Sequence, residues 1–176
     1  MRAGCVSGRL TGAWVRTGVW VEKSPVAGQA VRVELTGQYV PGRWANSADQ
    51  VAEYENSGGL RGNMMRGMPV VIVTMRGARS GKIRKTPVMR VEHGGSYAVV
   101  ASMGGAPTNP EWYHNIVAHP DVEVQDGPAA RPFRARLVSG PERDQWWQRA
   151  VQAYPDYADY QRKTDRQIPV FVLDPA

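Results

Sequence analysis

Short apolar segments separated by glycine- and proline-containing turns recur over residues 69–173, and this pattern constrains the fold most. The apolar runs, such as VVIV at residues 70–73, have the length of a strand and fall far short of the roughly 20 residues that span a bilayer. Short turns imply antiparallel pairing. The sequence therefore predicts a mainly β (α+β) fold, a six-stranded antiparallel barrel, closed or half-closed, with flanking helices. The six strands are expected at residues 69–75, 84–92, 96–102, 122–125, 131–138 and 168–173.

The chain divides into two parts by its patterning. Residues 1–36 carry scattered apolar residues without a sustained period, and Arg9 and Arg16 interrupt what would be the apolar region of a signal peptide. We expect a flexible extension here; a misassigned start, with translation beginning near Val33, is the second hypothesis. Residues 37–176 are expected to form the folded domain.

The charge of the chain favours an anionic partner. The formal net charge is +6, the pI is about 9.8, and 18 of the 22 basic residues are arginine. Arginine recognises carboxylate and phosphate groups in a planar, bidentate manner. Nucleic acid, an anionic membrane and an acidic small molecule all remain open on this basis, as does simple compositional bias. The single cysteine, Cys5, excludes an internal disulfide and favours a cytoplasmic location.

Residues 76–90 form a basic turn and strand without an acidic residue. Glycines let backbone N–H groups approach an anion, and basic side chains neutralise it. The segment therefore predicts a polyanion site, although a solvated basic hairpin is an equally ordinary interpretation. Its basic residues are Arg76, Arg79, Lys82, Arg84, Lys85 and Arg90.

Two aromatic segments follow the basic one. After a predicted strand, a Gly-Gly loop leads into a helix that carries Trp112 and Tyr113, which could flank a planar ring. Tyr154, Tyr157 and Tyr160 recur at i, i+3 and i+6, roughly on one helix face, and offer a flat wall with hydroxyl donors. In both cases core packing is the ordinary alternative, and at least one of the tyrosines would then be buried.

The sequence contains no residue pattern typical of catalysis by side chains alone, without a cofactor. The three histidines lack helical i, i+4 spacing and a cysteine companion, so no metal site is predicted. No nucleophile elbow or zinc-protease motif occurs. If the chain is an enzyme, a cofactor is expected to carry the chemistry.

Taken in order, these segments resemble the deazaflavin-dependent nitroreductase family known from mycobacteria and related actinobacteria. The resemblance runs from about residue 35 to the C-terminus and keeps motif order and spacing. The matching residues are Gly77, Arg79, Ser80, Gly81, Arg84, Pro87, Ala101, Ser102, Gly104, Gly105, Pro110, Trp112, Tyr113, Asn115, Tyr154, Tyr157, Tyr160, Thr164, Asp165, Arg166, Ile168 and Pro169.

The resemblance implies a split β-barrel that binds coenzyme F420, a deazaflavin with a phosphodiester and a γ-linked glutamate tail. The family commonly has lysine where this chain has Met103, which removes one possible contact to the tail or the ring. The resemblance assigns the phosphate and tail to Ala78, Arg79, Ser80, Gly81, Arg84, Lys85, Thr86, Pro87, Val88 and Met89. It assigns the ring to Val100, Ala101, Ser102, Met103, Glu111, Trp112, Tyr113, His114 and Asn115.

The expected activity is hydride transfer from reduced coenzyme F420 to a quinone, nitroaromatic or enone acceptor. Tyr157 is expected to hydrogen-bond the acceptor oxygen, with Tyr154 and Tyr160 as neighbours. Two alternatives remain: a non-catalytic carrier of the same cofactor, and a flavin-mononucleotide split-barrel oxidoreductase, which would need a single phosphate site. A nucleic-acid partner is not expected, since no recognition-helix pattern occurs.

Assembly and location are less constrained by the sequence. Split barrels often dimerise, so a homodimer is one expected state. Trp146 and Trp147 together with the positive charge would suit peripheral contact with the inner face of the cell membrane. The alternative has one of the two tryptophans in the core and the other half exposed.

Overall fold

The strands assemble into a single curled antiparallel sheet. The computed structural model describes residues 35–42 and 45–176, which all belong to the second of two units, 31–176. Except for its last two residues, the predicted extension over residues 1–36 lies outside this described part. The strands are β1 (Met64–Met65), β2 (Met68–Arg76), β3 (Ile83–Met89), β4 (Glu92–His93), β5 (Ser96–Val100), β6 (Asp121–Gln125), β7 (Ala130–Val138) and β8 (Val170–Pro175).

The antiparallel barrel-type fold with flanking helices is confirmed, but the strand count is higher than predicted. Within the described residues the sheet has eight strands instead of six. The six longer strands match the six predicted segments, whereas β1 and β4 have two residues each. Two residues are too few for an alternating apolar pattern to register in the sequence.

A bent segment brings the two ends of the sheet together. Strand β3 pairs with β2, and β4 pairs with β5 at the opposite end of the strand order. Between them, the Arg90 N–H donates to the carbonyl of Pro69 and the Val91 carbonyl accepts from Ala98. The chain therefore hydrogen-bonds to both ends of the sheet within a few residues, as a split barrel requires.

Strand β2 is buried on both faces of the sheet. Along β2, Val70 and Ile72 belong to one core cluster, while Val71 and Val73 belong to the other. The first cluster includes Val51 and Trp146 from two of the helices, and the second encloses Ile116 from another. Burial on both faces explains why β2 reads as a continuous apolar run, without the alternation of a half-buried strand.

Among the described residues, four α-helices flank the sheet: α1 (Ala45–Asn56), α2 (Glu111–Ala118), α3 (Gly140–Ala153) and α4 (Asp156–Arg162). In the described part of the chain, no helix combines the length and hydrophobicity that a bilayer crossing requires. Trp146 is buried, and Trp147 is partly buried at the edge of the same core cluster. These positions match the ordinary alternative for the tryptophan pair.

The capping-box patterns Ser47-x-x-Gln50 and Ser139-x-x-Glu142 predict how helices α1 and α3 begin, and neither prediction is correct in detail. Helix α1 begins at Ala45, two residues before the predicted start at Ser47. Ser139 lies at the N-cap of α3, but its side chain makes no capping hydrogen bond. Glu142, the expected partner, accepts two hydrogen bonds from Arg136 at 2.7 and 2.8 Å. A bidentate pair with arginine outcompetes a single bond to a backbone N–H.

Candidate functional site

The turn between β2 and β3 is held closed by its own backbone. The Gly77 N–H donates to the carbonyl of Lys82 at 2.8 Å, and the Gly81 N–H donates to the carbonyl of Gly77 at 2.9 Å. A Cβ at Gly77 would lie 2.8 Å from the Ser80 hydroxyl oxygen and 3.3 Å from the Lys82 carbonyl oxygen, so a larger residue there would require the Ser80 side chain to move. Among the described residues, the backbone N–H groups of Arg79 and Ser80 have no acceptor. The turn thus presents two adjacent free donors.

Four of the six basic side chains in this segment have protein partners. Arg76 donates to the Gly81 carbonyl, Lys85 pairs with Glu55, and Arg90 pairs with Asp126 at 2.7 Å. Arg84 donates from one nitrogen to the carbonyls of Val40 and Pro41, at 3.2 and 3.0 Å. The sequence alone could not separate these cations from those that face solvent.

The two remaining cations lie on the turn itself. Arg79 and Lys82 are exposed, and neither side chain has an ion pair or hydrogen bond within residues 35–42 and 45–176. Two cations and two free N–H donors within four residues of chain form a concentrated positive surface. Within the predicted polyanion site, this turn therefore carries the two cations that no described residue neutralises.

Helix α2 is joined to this turn. The Ala78 N–H donates to the Asn115 side-chain carbonyl at 2.9 Å, which explains why the sequence places an asparagine at this point of the helix. Trp112 and Tyr113 are partly buried, with ring centroids 6.4 and 5.4 Å from that of Phe171. The structure thereby brings together the predicted tail-binding turn and the predicted ring-binding helix.

Several residues predicted to bind the cofactor have side chains in the core. Met89 and Val100 belong to the first core cluster, Pro87 is buried, and Ala101 is fully buried. Core packing occupies most of the surface of these side chains. Arg84, Lys85, Thr86 and Val88 are partly buried, and His114 is exposed beside the Tyr113 ring.

The loop after β5 is organised by a single arginine. Ser102 is buried, whereas Met103 is 48% exposed and adopts a left-handed backbone with φ of 47°. The Arg166 guanidinium donates to five oxygens of this loop and the segment after it, at 2.8 to 3.2 Å. Those oxygens are the carbonyls of Ala101, Ser102, Ala106 and Thr108 and the side-chain oxygen of Asn109.

Sequence reasoning recognised Arg166 only as part of a family motif. An arginine in a polar segment is typical of the protein surface. Nothing nearby in the sequence indicates the partners of Arg166, which lie 57 to 65 positions away. Its fork of donors binds several carbonyls at once, a geometry that lysine cannot reproduce.

Helix α4 lies against the same loop. A Cβ at Gly105 would be 2.7 Å from the backbone oxygen of Tyr160 and 2.9 Å from Cβ of Lys163, so this contact requires glycine. The tyrosines of the helix segment are therefore adjacent to the loop predicted to line the cofactor ring.

The three predicted tyrosines form one cluster. Ring centroids are 5.1 Å apart for Tyr154 and Tyr157, 6.0 Å for Tyr154 and Tyr160, and 6.2 Å for Tyr157 and Tyr160. Tyr154 and Tyr157 are buried, and Tyr160 is partly exposed. Burial raises the pKa of Tyr157 well above its usual range, with further contributions from the two neighbouring tyrosines, so its hydroxyl keeps its proton.

The hydroxyls of the cluster differ in their partners. The Tyr154 hydroxyl donates to Asp156 at 2.8 Å and lies 3.0 Å from that of Tyr160. No described residue is hydrogen-bonded to the Tyr157 hydroxyl. Of the three, Tyr157 is therefore the donor that the fold leaves unused.

An arginine from another element completes the cluster. Arg66, in the two-residue turn between β1 and β2, donates from one nitrogen to the Tyr160 hydroxyl at 3.1 Å and the Tyr154 hydroxyl at 3.4 Å. The same nitrogen lies 3.6 Å from the Asp156 carboxylate. Sequence reasoning missed Arg66 because a strand of two residues gave no sign of the hairpin that carries it.

The described residues contain no group of three or more histidine, cysteine, aspartate or glutamate side chains arranged to hold a metal ion. The assembled features are a cationic turn, an aromatic helix joined to it, an arginine-clamped loop and a tyrosine cluster. These features suit an elongated acidic ligand with a flat ring at one end.

Comparison with known proteins identifies the family. A model of the F420H(2)-dependent quinone reductase family matches residues 46–175. A putative F420H(2)-dependent quinone reductase of Mycobacterium tuberculosis is 38% identical over 108 residues, which cover 61% of this chain and 91% of that protein. Another F420H(2)-dependent quinone reductase of the same species is 36% identical over 126 residues, 69% of this chain and 85% of the relative.

Solved structures agree with these relatives. A structure described as an F420-H2 dependent reductase (FDR-A) superposes with a TM-score of 0.58 at 55% identity, covering 60% of this chain and 94% of that one. A structure described as a domain-swapped dimer superposes with a TM-score of 0.61 at 48% identity, covering 72% and 93%. The expected resemblance to deazaflavin-dependent reductases is confirmed, and the chain belongs to the F420H(2)-dependent quinone reductase family.

Proposed function

We propose that the protein is an oxidoreductase that uses reduced coenzyme F420 to reduce a quinone. The observation that carries this proposal is the connection between the free cations of the β2–β3 turn and the aromatic helix α2 through the Ala78–Asn115 hydrogen bond. A ligand with an acidic tail and a flat ring can contact both at once. When bound, the reduced cofactor supplies a hydride.

The residues of the turn fit the acidic part of this cofactor. Arg79 and Lys82 supply two cations that no described residue neutralises, and the backbone N–H groups of Arg79 and Ser80 supply donors. Arg84 has one nitrogen committed to two backbone carbonyls, which fixes its guanidinium in place. We infer that Arg79 and Lys82 contribute most of the tail affinity and that Arg84 adds a preoriented donor.

The loop after β5 and helix α2 fit a flat ring. Trp112 and Tyr113 are fixed by packing on Phe171, and Arg166 fixes the backbone of residues 101–108. Rigid surroundings hold two reactants at a short separation, which supplies much of a rate enhancement without any protein nucleophile. We infer that these elements position the ring and exclude water from its reactive face.

Tyr157 is the proposed donor to the acceptor oxygen. Its hydroxyl keeps its proton and has no described partner, so an acceptor carbonyl can receive its hydrogen bond without displacing another group. Negative charge grows on that oxygen as the hydride arrives. A preorganised donor typically stabilises such a transition state by about 2 to 4 kcal/mol. Tyr154 and Tyr160 form the walls beside it.

The family description supports a quinone as the acceptor. We propose nitroaromatic compounds and enones as further acceptors, because each carries an oxygen that becomes negatively charged during hydride transfer. We also propose a homodimer, since a 48% identical relative was solved as a domain-swapped dimer. Peripheral contact with the inner membrane face remains part of the proposal because quinones reside in lipid.

Binding and turnover are tested separately. Calorimetry with oxidised coenzyme F420 and with flavin mononucleotide should detect binding of the deazaflavin only, since one phosphate does not use an extended cationic turn. Stopped-flow oxidation of the reduced cofactor should then depend on added menadione, a nitroimidazole or an enone. Binding without acceptor-dependent oxidation would favour a carrier, and the absence of deazaflavin binding would refute the proposal.

A further inference from the structure

Arg66 lies over the tyrosine cluster in a strained backbone conformation. Its φ is 51°, in the left-handed region that residues with a Cβ avoid, and Gly67 follows with φ of 77°. The β1–β2 pairing, with Met65 opposite Met68, fixes this two-residue turn. A left-handed non-glycine residue costs free energy and persists where its surroundings hold it. Glycine would fit the turn better, so the conformation alone does not explain the arginine.

The side chain makes contacts that suit a role beyond folding. The Arg66 side chain is 65% exposed, yet one guanidinium nitrogen donates to both tyrosine hydroxyls and approaches Asp156. Nothing in the described part of the chain is hydrogen-bonded to the other two guanidinium nitrogens. Met65 and Met68, on either side of the turn, pack against the core cluster and hold the turn over the tyrosines.

The donor and acceptor chemistry of Arg66 and Asp156 determines which hydroxyl donates in each hydrogen bond of the cluster. A guanidinium can only donate, and an ionised carboxylate can only accept. Tyr154 donates to Asp156, so its oxygen is free to accept from Arg66 and Tyr160. The Tyr160 oxygen accepts from Arg66, so its own proton points toward Tyr154 or toward an incoming ligand. Of the two tyrosines that Arg66 contacts, Tyr160 is therefore the one whose proton can turn to an acceptor.

We propose that Arg66 is a positioning residue that enables Tyr160 to protonate the reduced acceptor. This inference rests on the proposed function. Reduction of a quinone takes one hydride, from the cofactor, and one proton. The proton leaves the Tyr160 hydroxyl for the acceptor oxygen, and Tyr160 regains a proton from solvent. While its oxygen is negatively charged, it lies next to the Arg66 guanidinium at 3.1 Å, and Lys163 lies 5.5 Å from the ring centroid.

Tyr157 and Tyr160 then have different tasks at one acceptor oxygen. Tyr157 is buried and receives no hydrogen bond from Arg66, so it orients the carbonyl while it keeps its proton. Tyr160 is partly exposed, and its oxygen accepts a hydrogen bond from Arg66, whose positive charge stabilises the negative charge that proton transfer leaves on that oxygen.

The test compares Arg66→Gly, Arg66→Lys and the control Arg61→Ala in the full chain. Glycine suits the left-handed turn, so Arg66→Gly is expected to fold with an unchanged or higher thermal midpoint. Arg61 is 71% exposed and lies 3.9 Å from Glu53, on the segment that precedes the same hairpin. Single-turnover oxidation of reduced coenzyme F420 by menadione is measured between pH 6 and about 10, with cofactor Kd from fluorescence.

Arg66→Gly is expected to lower the oxidation rate at pH 7 by about ten-fold or more, with a cofactor Kd within about two-fold of wild type. The deficit should change with pH, because the variant removes the cation that lies 3.1 Å from the Tyr160 hydroxyl. Arg66→Lys should restore part of the rate, and Arg61→Ala should leave it unchanged. In a Tyr160→Phe background, Arg66→Gly should have little further effect.

A wild-type rate in Arg66→Gly at all pH values would overturn the inference. So would an equal loss in the Tyr160→Phe background, or a loss without any change in the pH profile. If Arg66→Gly were poorly folded, Arg66→Asn, which tolerates the left-handed region, gives the same comparison. Lack of any menadione-dependent oxidation by wild-type protein would instead refute the proposed function.

Discussion

Gly105 is the residue at which the fold and the proposed site depend on each other most directly, so we expect Gly105→Ala to impair both. It lies in the loop after β5 with φ of +86°, and a Cβ there would be 2.7 Å from the Tyr160 backbone oxygen. The neighbouring atom belongs to the backbone of α4, which cannot rotate away as a side chain could. A methyl group must therefore displace the loop or the helix.

The magnitude follows from two terms. A left-handed non-glycine residue costs about 1 to 2 kcal/mol, and overpacking against backbone costs about 1 to 3 kcal/mol. Gly105→Ala should therefore lower the free energy of unfolding by about 2 to 5 kcal/mol. For a domain of this size each kcal/mol lowers Tm by about 2 to 4 °C, so the expected decrease is about 4 to 20 °C.

Gly104 provides a matched control. It is adjacent, its φ is +68°, and a Cβ there would have no atom within 4 Å. Gly104→Ala should carry only the conformational term of about 1 to 2 kcal/mol. Urea unfolding of both variants measures the difference, and the quinone reduction rate of Gly105→Ala should fall because Tyr160 moves with its backbone. Equal losses of stability in the two variants would refute the reasoning.

Three further predictions concern the proposed ligand contacts. Arg79→Ala should raise the Kd for coenzyme F420 about five- to ten-fold at low salt and less at 0.5 M salt, as calorimetry can measure; a salt-independent loss would count against tail pairing. Tyr157→Phe should slow quinone reduction by about 30-fold or more with little change in cofactor Kd, and unchanged turnover would remove its proposed role. Arg166→Lys should weaken ring binding and lower Tm, because lysine cannot serve the five oxygens that Arg166 binds; an unaltered Kd would show that the loop keeps its shape without it.

The sequence predicted the architecture well wherever structure is local. The β2 run, the turn between the strands predicted at 84–92 and 96–102, and the helix that carries Trp112 all depend on residue preferences within a few positions. The predicted strand over residues 84–92 is instead interrupted at residues 90–91. The interruption serves sheet closure, since Arg90 and Val91 bond to different strands. Such a contact between the ends of a sheet has no local signal.

The sequence predicted which segments form the candidate site. It did not predict which basic side chains of those segments pair with other residues and which have no partner among the described residues. Arg79 and Arg90 look alike in sequence, yet Arg90 pairs with an aspartate 36 positions away. That pairing extends further, because Tyr97 donates to the same carboxylate and its pKa is raised to about 12, first by burial and then by this bond. Long-range partners such as Asp126 become known only from the tertiary structure.

Strand β2 also sets a length scale for whatever ligand the protein holds. Its nine residues separate Arg66 and Gly67 at one end from the cationic turn at the other. At about 3.3 Å per residue the strand spans at most about 30 Å. A compact anion could occupy the turn alone and would leave the tyrosines untouched, whereas an extended molecule could reach toward both. Inserting one residue into β2 would lengthen this span, and it would also exchange the side chains on the two buried faces of the strand. The distance between the two ends of β2 therefore cannot be changed by one residue without disrupting the core.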